Sequence, residues 1–178
     1  PLFSETMVTL LQNRKEQRTD QLSSYRFFYG NSIPDKDGAF IIRNVRAGQY
    51  SVSPYFFARY WYLKSITLSA SQTNSAQVKA SSSVNSDIVR NWTTLKSGDR
   101  LTGLTISLAE GAASLRGQIT KPEDAKLSDG LRVFLVPSER DKVNDPLRYF
   151  TGEVNGDGTF LFTNLPPGRY WAVAQQSQ

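Results

Sequence analysis

The sequence contains no cysteine and no histidine, and these two absences exclude several kinds of chemistry. Disulfides, a thiol nucleophile, a zinc site built from cysteine and histidine, and a Ser-His-Asp triad are all ruled out. The chain also has no long apolar run, so no helical membrane span is predicted. The glycines stand singly in turns, so no phosphate-binding loop is recognisable. We therefore expect no catalytic residue, no metal site and no cofactor.

The residues that are present are typical of a folded, strand-rich chain. Hydrophobic residues make up 39% of the sequence and charged residues 21%, which is a globular rather than a disordered composition. The net charge is +5, but the basic residues are scattered, apart from one cluster at Asn13–Arg18. We interpret that cluster as a solvated loop, and we expect no nucleic-acid partner.

One sequence motif occurs twice in the chain, at an offset of 120 residues. The segment "KDGAFIIRNVRAGQYSVS" begins at Lys36, and "GDGTFLFTNLPPGRYWAVA" begins at Gly156. The shared pattern is D-G-x-F-x-φ-x-N-φ-x-x-G-x-Y, where φ is apolar. Its fixed residues are Asp37, Gly38, Phe40, Asn44, Gly48 and Tyr50 in the first copy, and Asp157, Gly158, Phe160, Asn164, Gly168 and Tyr170 in the second. A match of this length indicates an internal repeat.

Each part of the motif predicts a local structure. The Asp-Gly pair favours a hairpin turn, because glycine accepts a positive φ and aspartate bonds to the neighbouring backbone. The two apolar residues that follow lie two positions apart, as on one face of a strand. The second glycine occupies the position at which a type II turn requires it, and the tyrosine opens the next strand. The motif therefore predicts turn, strand, tight turn, strand.

The repeat also predicts the domain organisation. We expect one module over residues 1–109, with a Ser-rich loop at 69–86, and a second module over residues 110–178. The first module has no counterpart of the strand "SLRGQI" of the second, and the second has no counterpart of the closing strands of the first. We therefore expect the chain to be an excerpt from a longer protein, in which neighbouring segments supply the missing strands.

The segments "GAASLRGQIT", "LRVFLVP" and "GDGTFLFTNLPPGRYWAVA" together resemble the carboxypeptidase regulatory-like domain. The resemblance covers most of residues 110–178 and, in the first module, the stretch from about residue 7 to residue 52. It implies an all-β fold of two tandem antiparallel β-sandwich modules, Ig-like or prealbumin-like, in the carbohydrate-binding-like fold group. It also implies a large exported bacterial protein of the periplasm, outer membrane or cell surface. Such domains generally perform no catalysis.

The function that this resemblance implies is that of a non-catalytic structural or interaction module. Its partners are expected to be neighbouring modules or other protein subunits, bound through surface contacts and edge-strand pairing. One alternative is a carbohydrate-binding accessory module, for which Tyr60, Trp61 and Trp92 are the candidate residues and a polysaccharide the ligand. Another is an accessory domain of a TonB-dependent outer-membrane transporter.

The aromatic run Tyr55–Tyr62 leaves three interpretations open. Aromatic residues on both faces of a strand favour a core or a domain contact. Exposed flat rings beside polar groups would favour sugar stacking, and a membrane-interface wedge is the third interpretation.

The acidic turns resemble the opening of a calcium loop, but they do not continue as one. Position twelve, at which a calcium hand requires glutamate, is Arg46 in the first copy and Pro166 in the second. We therefore interpret both stretches as ordinary acidic β-turns. The acids of the later loops, Glu123 with Asp124 and Glu139 with Asp141, lack any supporting catalytic signature.

Overall fold

The structure is a computed structural model that describes residues 3–12, 30–68, 93–120 and 130–176. In these ranges the chain is mostly β-structure, with two single-turn 3-10 helices at Phe3–Glu5 and Pro146–Arg148. None of the helices in these ranges is long and apolar enough to cross a membrane. The strands are β1 (Thr6–Gln12), β2 (Asn31–Ser32), β3 (Gly48–Phe56), β4 (Trp61–Leu68), β5 (Thr93–Leu95), β6 (Leu104–Glu110), β7 (Ala113–Gln118), β8 (Leu131–Pro137), β9 (Phe150–Glu153), β10 (Thr159–Leu165) and β11 (Tyr170–Gln176).

The chain divides into two compact units. Unit 1 consists of Pro1–Ala58 with Ser65–Ile106, and unit 2 of Arg59–Lys64 with Ser107–Gln178. Strands β4 and β6 form a two-stranded sheet of their own. The division between the units passes through both of these strands.

Unit 1 contains a sheet in the order β2-β1-β3-β5, with antiparallel pairing throughout. Val8 and Leu10 lie two residues apart on β1, so their side chains point to the same face of the sheet. Tyr50 and Val52 share a face of β3 in the same way, and Val52 lies directly opposite Leu10. All four side chains are buried, so this face of the sheet carries the apolar core of the unit.

Unit 2 contains two antiparallel sheets, one in the order β11-β8-β9 and the other formed by β7 and β10. Val133 and Leu135 of β8 form one buried cluster with Phe162 and Leu165 of β10. Alternation accounts for Val133, Leu135 and Phe162, because every second residue of a strand points to the same face. Leu165 lies three residues after Phe162 and reaches the same side because the register shifts between them. The partly buried side chains around it are Ile119, Phe150, Val154, Phe160 and Tyr170.

Candidate interaction site

The Asp-Gly turns of the two motif copies have closely similar backbone geometry. Gly38 has a φ of 82° and Gly158 a φ of 85°, the left-handed region that glycine accepts readily. Gly38 donates its N–H to the carbonyl of Asp35 at 3.0 Å, and Gly158 donates to the carbonyl of Asn155 at 2.8 Å. Both turns therefore close with the same backbone hydrogen bond, from the N–H of the glycine to the carbonyl three residues earlier.

The carboxylates of these turns are occupied by hydrogen bonds to the turns themselves. Asp35 Oδ1 accepts the backbone N–H groups of Asp37 and Ala39, both at 2.9 Å. Asp157 Oδ1 accepts the backbone N–H of Thr159 at 2.9 Å and its hydroxyl at 2.7 Å. The Thr159 hydroxyl and N–H hold the pKa of the Asp157 carboxyl below its ordinary value. Among the described residues, no three His, Cys, Asp or Glu side chains are grouped closely enough to hold a metal ion.

The asparagine of the motif marks a left-handed residue in both copies. Asn44 and Asn164 each have a φ of 58°, a conformation that asparagine adopts more readily than most residues. In β10 the register shifts between Phe162 and Leu165, around Asn164. The Asn164 side chain donates from Nδ2 to the carbonyl of Trp61 at 2.8 Å. This residue therefore ends the regular strand pairing and fixes the start of β4.

The tyrosine of the motif closes the second turn. Tyr50 donates its hydroxyl to the carbonyl of Arg46 at 3.1 Å, and Tyr170 donates to the carbonyl of Pro166 at 2.9 Å. In each case the bond spans four residues across the turn that precedes the strand. The geometry of this turn thus explains why both copies of the motif carry a tyrosine here.

A clamp that sequence reasoning missed holds the second copy of this turn. Arg148 donates from its guanidinium to the carbonyl of Pro167 at 2.8 Å, and its Nε lies 3.5 Å from Asp145 Oδ2. Burial raises the pKa of the neighbouring Tyr170 hydroxyl, while the charge of Arg148 acts in the opposite direction. The sequence around Arg148 gives no signal of this role.

The two copies differ in the segment between the turns. In the second copy, Phe160 and Phe162 belong to β10, which pairs with β7. In the first copy, the strand expected through Phe40 and Ile42 is not formed, and residues 39–47 carry no strand. Residues 39–47 form no strand because a strand requires a neighbour to pair with, and no described strand of unit 1 takes the place that β7 has beside β10.

The aromatic run places several rings in solvent. Tyr60 is 75% exposed and Phe57 is 77% exposed, and Tyr55, on the same face of the chain as Phe57, is also exposed. Tyr60 has a φ of 69°, which is uncommon for a bulky residue. Trp61 begins β4 and is half-buried. The third candidate for sugar stacking, Trp92, lies outside the described residues.

Strand β11 forms an exposed apolar edge of unit 2. It is the last strand in the order β11-β8-β9. Every residue from Trp171 to Gln176 is exposed, with Trp171 at 67% and Val173 at 47%. The matching strand of unit 1, β3, instead lies between β1 and β5, and its Val52 is buried. Alternation along "YWAVAQ" therefore indicates which residues share a face, but not whether that face is covered.

Two glycines of unit 2 have a role that the motif did not reveal. The Phe160 ring lies against Gly117 of β7, and a Cβ there would overlap the ring. The Phe162 ring lies against Gly152 of β9 in the same way, with Cζ 2.7 Å from where a Cβ would stand. A glycine within a strand pattern is the signal for such a close approach.

No family model, curated protein or solved structure matches this chain. Its function is therefore inferred from its own side chains. The two features of unit 2 that a partner could use are the exposed edge β11 and the exposed side chain of Tyr60.

Proposed function

We propose that this chain is a non-catalytic interaction module that acts through contacts with neighbouring modules or other protein subunits. The observation that carries this proposal is the exposed edge strand β11, with the Trp171 ring 67% exposed. An unpaired strand edge presents N–H and C=O groups to any extended chain, and exposed apolar side chains add affinity. Edge pairing is a recurring mode of protein recognition.

We further propose that the chain consists of two tandem antiparallel β-sandwich modules of the carboxypeptidase regulatory-like type. The support is local and comes from each unit separately. Val8 and Leu10 of β1 are buried, as are Val133 and Leu135 of β8, and each pair lies on the strand that neighbours the motif tyrosine. The same resemblance supports an exported bacterial protein of the periplasm, outer membrane or cell surface.

A second candidate function is carbohydrate binding, and one observation favours it. Tyr60 is 75% exposed immediately before β4, next to the half-buried Trp61 in the chain. Sugars stack their apolar faces on flat, accessible aromatic rings, so this position meets the first requirement for a stacking platform. The protein-contact proposal has the broader support, because β11 is an edge strand among the strands that the structure describes and so offers backbone groups as well as apolar side chains.

Sedimentation velocity over a range of concentrations tests the proposal. We expect the chain to associate reversibly as its concentration rises, and we expect Trp171→Lys to remain monomeric, because a charge on an edge strand opposes pairing. Val143→Lys is the matched control, since Val143 is an exposed apolar residue in a loop and does not belong to β11. Association that persists in Trp171→Lys would overturn the assignment to β11.

A parallel fluorescence titration with soluble polysaccharides tests the second candidate. Saturable quenching that is lost in Tyr60→Ala would favour the carbohydrate-binding function over protein contact. Unchanged tryptophan emission in the presence of the polysaccharides would count against it.

A further inference from the structure

The pairing of β7 with β10 in unit 2 shows how the segment after the Asp-Gly turn is completed. Phe160 lies opposite Gly117, and Phe162 lies opposite Leu115. Ile119 extends the ladder, because its N–H donates to the carbonyl of Gly158 at 2.9 Å. Strand β7 therefore places a glycine opposite Phe160 and an apolar residue opposite Phe162.

In the first motif copy, the residues at both ends of the segment that corresponds to β10 have the same geometry as in the second copy. Gly38 and Asn44 take the φ values of their counterparts, and Tyr50 makes the same hydrogen bond across the next turn. The segment between them is thus held at both ends in the shape that precedes and follows β10. In the part of unit 1 that the structure describes, however, no strand pairs with residues 39–45.

Burial shows how this segment is oriented. The outward residue is equally exposed in both copies, at 64% for Ile41 and 60% for Leu161. The inward residue differs, because Phe162 is 6% exposed, whereas its counterpart Ile42 is only half-buried. The segment is therefore oriented as β10 is, and Ile42 packs against Gly30 as Phe162 packs against Gly152. Among the described residues, what it lacks is a neighbouring strand along its edge.

We propose that residues 39–45 accept an antiparallel strand of the β7 type from a partner polypeptide. By the register of β10, that strand places glycine or another very small residue opposite Phe40 and an apolar residue opposite Ile42. The residue opposite Ile41 points outward and is free to be charged, as Arg116 is in β7. This inference rests on the proposed function as a protein-contact module and identifies one of its contact sites and the pattern of the partner.

The small residue is the specific part of the recognition. In β7 a Cβ at Gly117 would overlap the Phe160 ring, so the ring occupies the space that a side chain would need. If the Phe40 ring lies over the partner strand as the Phe160 ring lies over Gly117, it needs the same free space at the residue opposite it. A partner strand with a β-branched residue at this position is therefore rejected.

The test uses the full chain and a labelled peptide of residues 111–120, which contains β7. Fluorescence anisotropy measures binding, and amide hydrogen exchange with mass spectrometry locates it. We expect saturable binding together with slower exchange at residues 39–45. The peptide with Gly117→Val should bind at least about tenfold more weakly, whereas the peptide with Arg116→Ala should bind equally well, because that side chain faces outward.

Two variants of the chain distinguish binding at residues 39–45 from binding at the equivalent strand β10. Phe40→Ala should abolish binding, and Phe160→Ala should leave it unchanged. The opposite result would mean that the peptide replaces β7 in unit 2 and would overturn the proposal. Far-UV circular dichroism, together with unchanged exchange in β1 for Phe40→Ala and in β8 for Phe160→Ala, confirms that each variant remains folded.

Three further outcomes would also overturn the inference. They are absence of binding, equal binding of the Gly117→Val peptide, and protection of residues 39–45 by a second copy of the chain without any peptide. None of these depends on Trp171, so the proposed function would still stand or fall by the sedimentation experiment. Association through β11 with no peptide binding would retain the proposed function and reject this site alone.

Discussion

The Phe160 ring lies over the backbone of Gly117, its partner across the two strands β10 and β7. A glycine within a strand contributes no side chain to the core, but it leaves room for a ring from the neighbouring strand. The ring of Phe160 in turn packs edge-on against Phe162, with ring centroids 6.0 Å apart. Gly117 therefore sets the position of two aromatic side chains at the core of unit 2.

Replacement of this glycine should destabilise unit 2. In Gly117→Ala the new methyl group displaces the Phe160 ring, and we expect a loss of about 1–3 kcal/mol in the free energy of unfolding, as for an overpacked core. Urea denaturation measures the change. Gly156→Ala is the matched control, because no atom lies within 4 Å of a Cβ at that position. Equal stability of the two variants would show that the ring moves away without cost.

Asn164 combines a left-handed backbone with a side-chain hydrogen bond, and two substitutions separate these roles. Asn164→Gly keeps the conformation and loses the bond to the Trp61 carbonyl, at an expected cost of about 1 kcal/mol. Asn164→Ala loses the bond and also places alanine at a φ of 58°, for which we expect a further loss of about 1 kcal/mol. Thermal or urea unfolding orders the three proteins. A glycine variant less stable than the alanine variant would contradict the backbone contribution.

Much of the local structure could be predicted from the sequence, because it depends on residues close together in the chain. The Asp-Gly pair indicates the turn at Gly158, and the alternation in "TFLFTNL" indicates β10. The inward residues Val133 and Leu135 follow from the same period of two. The predominantly β, antiparallel character of the chain is confirmed on these grounds.

What the sequence could not predict depends on partners distant in the chain. Phe40 and Phe160 stand in equivalent motifs, but only Phe160 lies in a strand, because only β10 has β7 beside it. Trp171 follows a motif tyrosine as Ser51 does, but its exposure depends on what lies next to β11. No local pattern carries that information.

The Asp157 carboxyl provides a test of the turn by titration. The hydroxyl and N–H of Thr159 bond to the charged form, so the folded-state pKa lies below the ordinary value of 3.8. A depressed pKa contributes stability that is present above the unfolded-state value and is lost as the pH falls through the folded-state value. NMR titration should show that Thr159→Ala, which removes only the hydroxyl, raises this pKa towards 3.8. An unchanged pKa would mean that the backbone N–H alone sets it.

Tyr170 should impart an alkaline limit to the stability of unit 2. Burial raises the pKa of its hydroxyl above 10.0, and the protonated hydroxyl donates to the Pro166 carbonyl at 2.9 Å. Because the folded state holds this proton more tightly, the stabilisation is complete below the unfolded-state pKa and is lost as the pH rises through the folded-state pKa.

Tyr170→Phe should cost about 1 kcal/mol at neutral pH, the usual contribution of one hydrogen bond. Urea unfolding between about pH 8 and pH 11 should then show the wild-type chain losing stability relative to Tyr170→Phe. Tyr50→Phe, which removes the equivalent bond in unit 1, is the control: it should leave the alkaline loss in unit 2 intact. If the gap between wild type and Tyr170→Phe stays constant across this range, the Tyr170 hydroxyl does not titrate with unfolding.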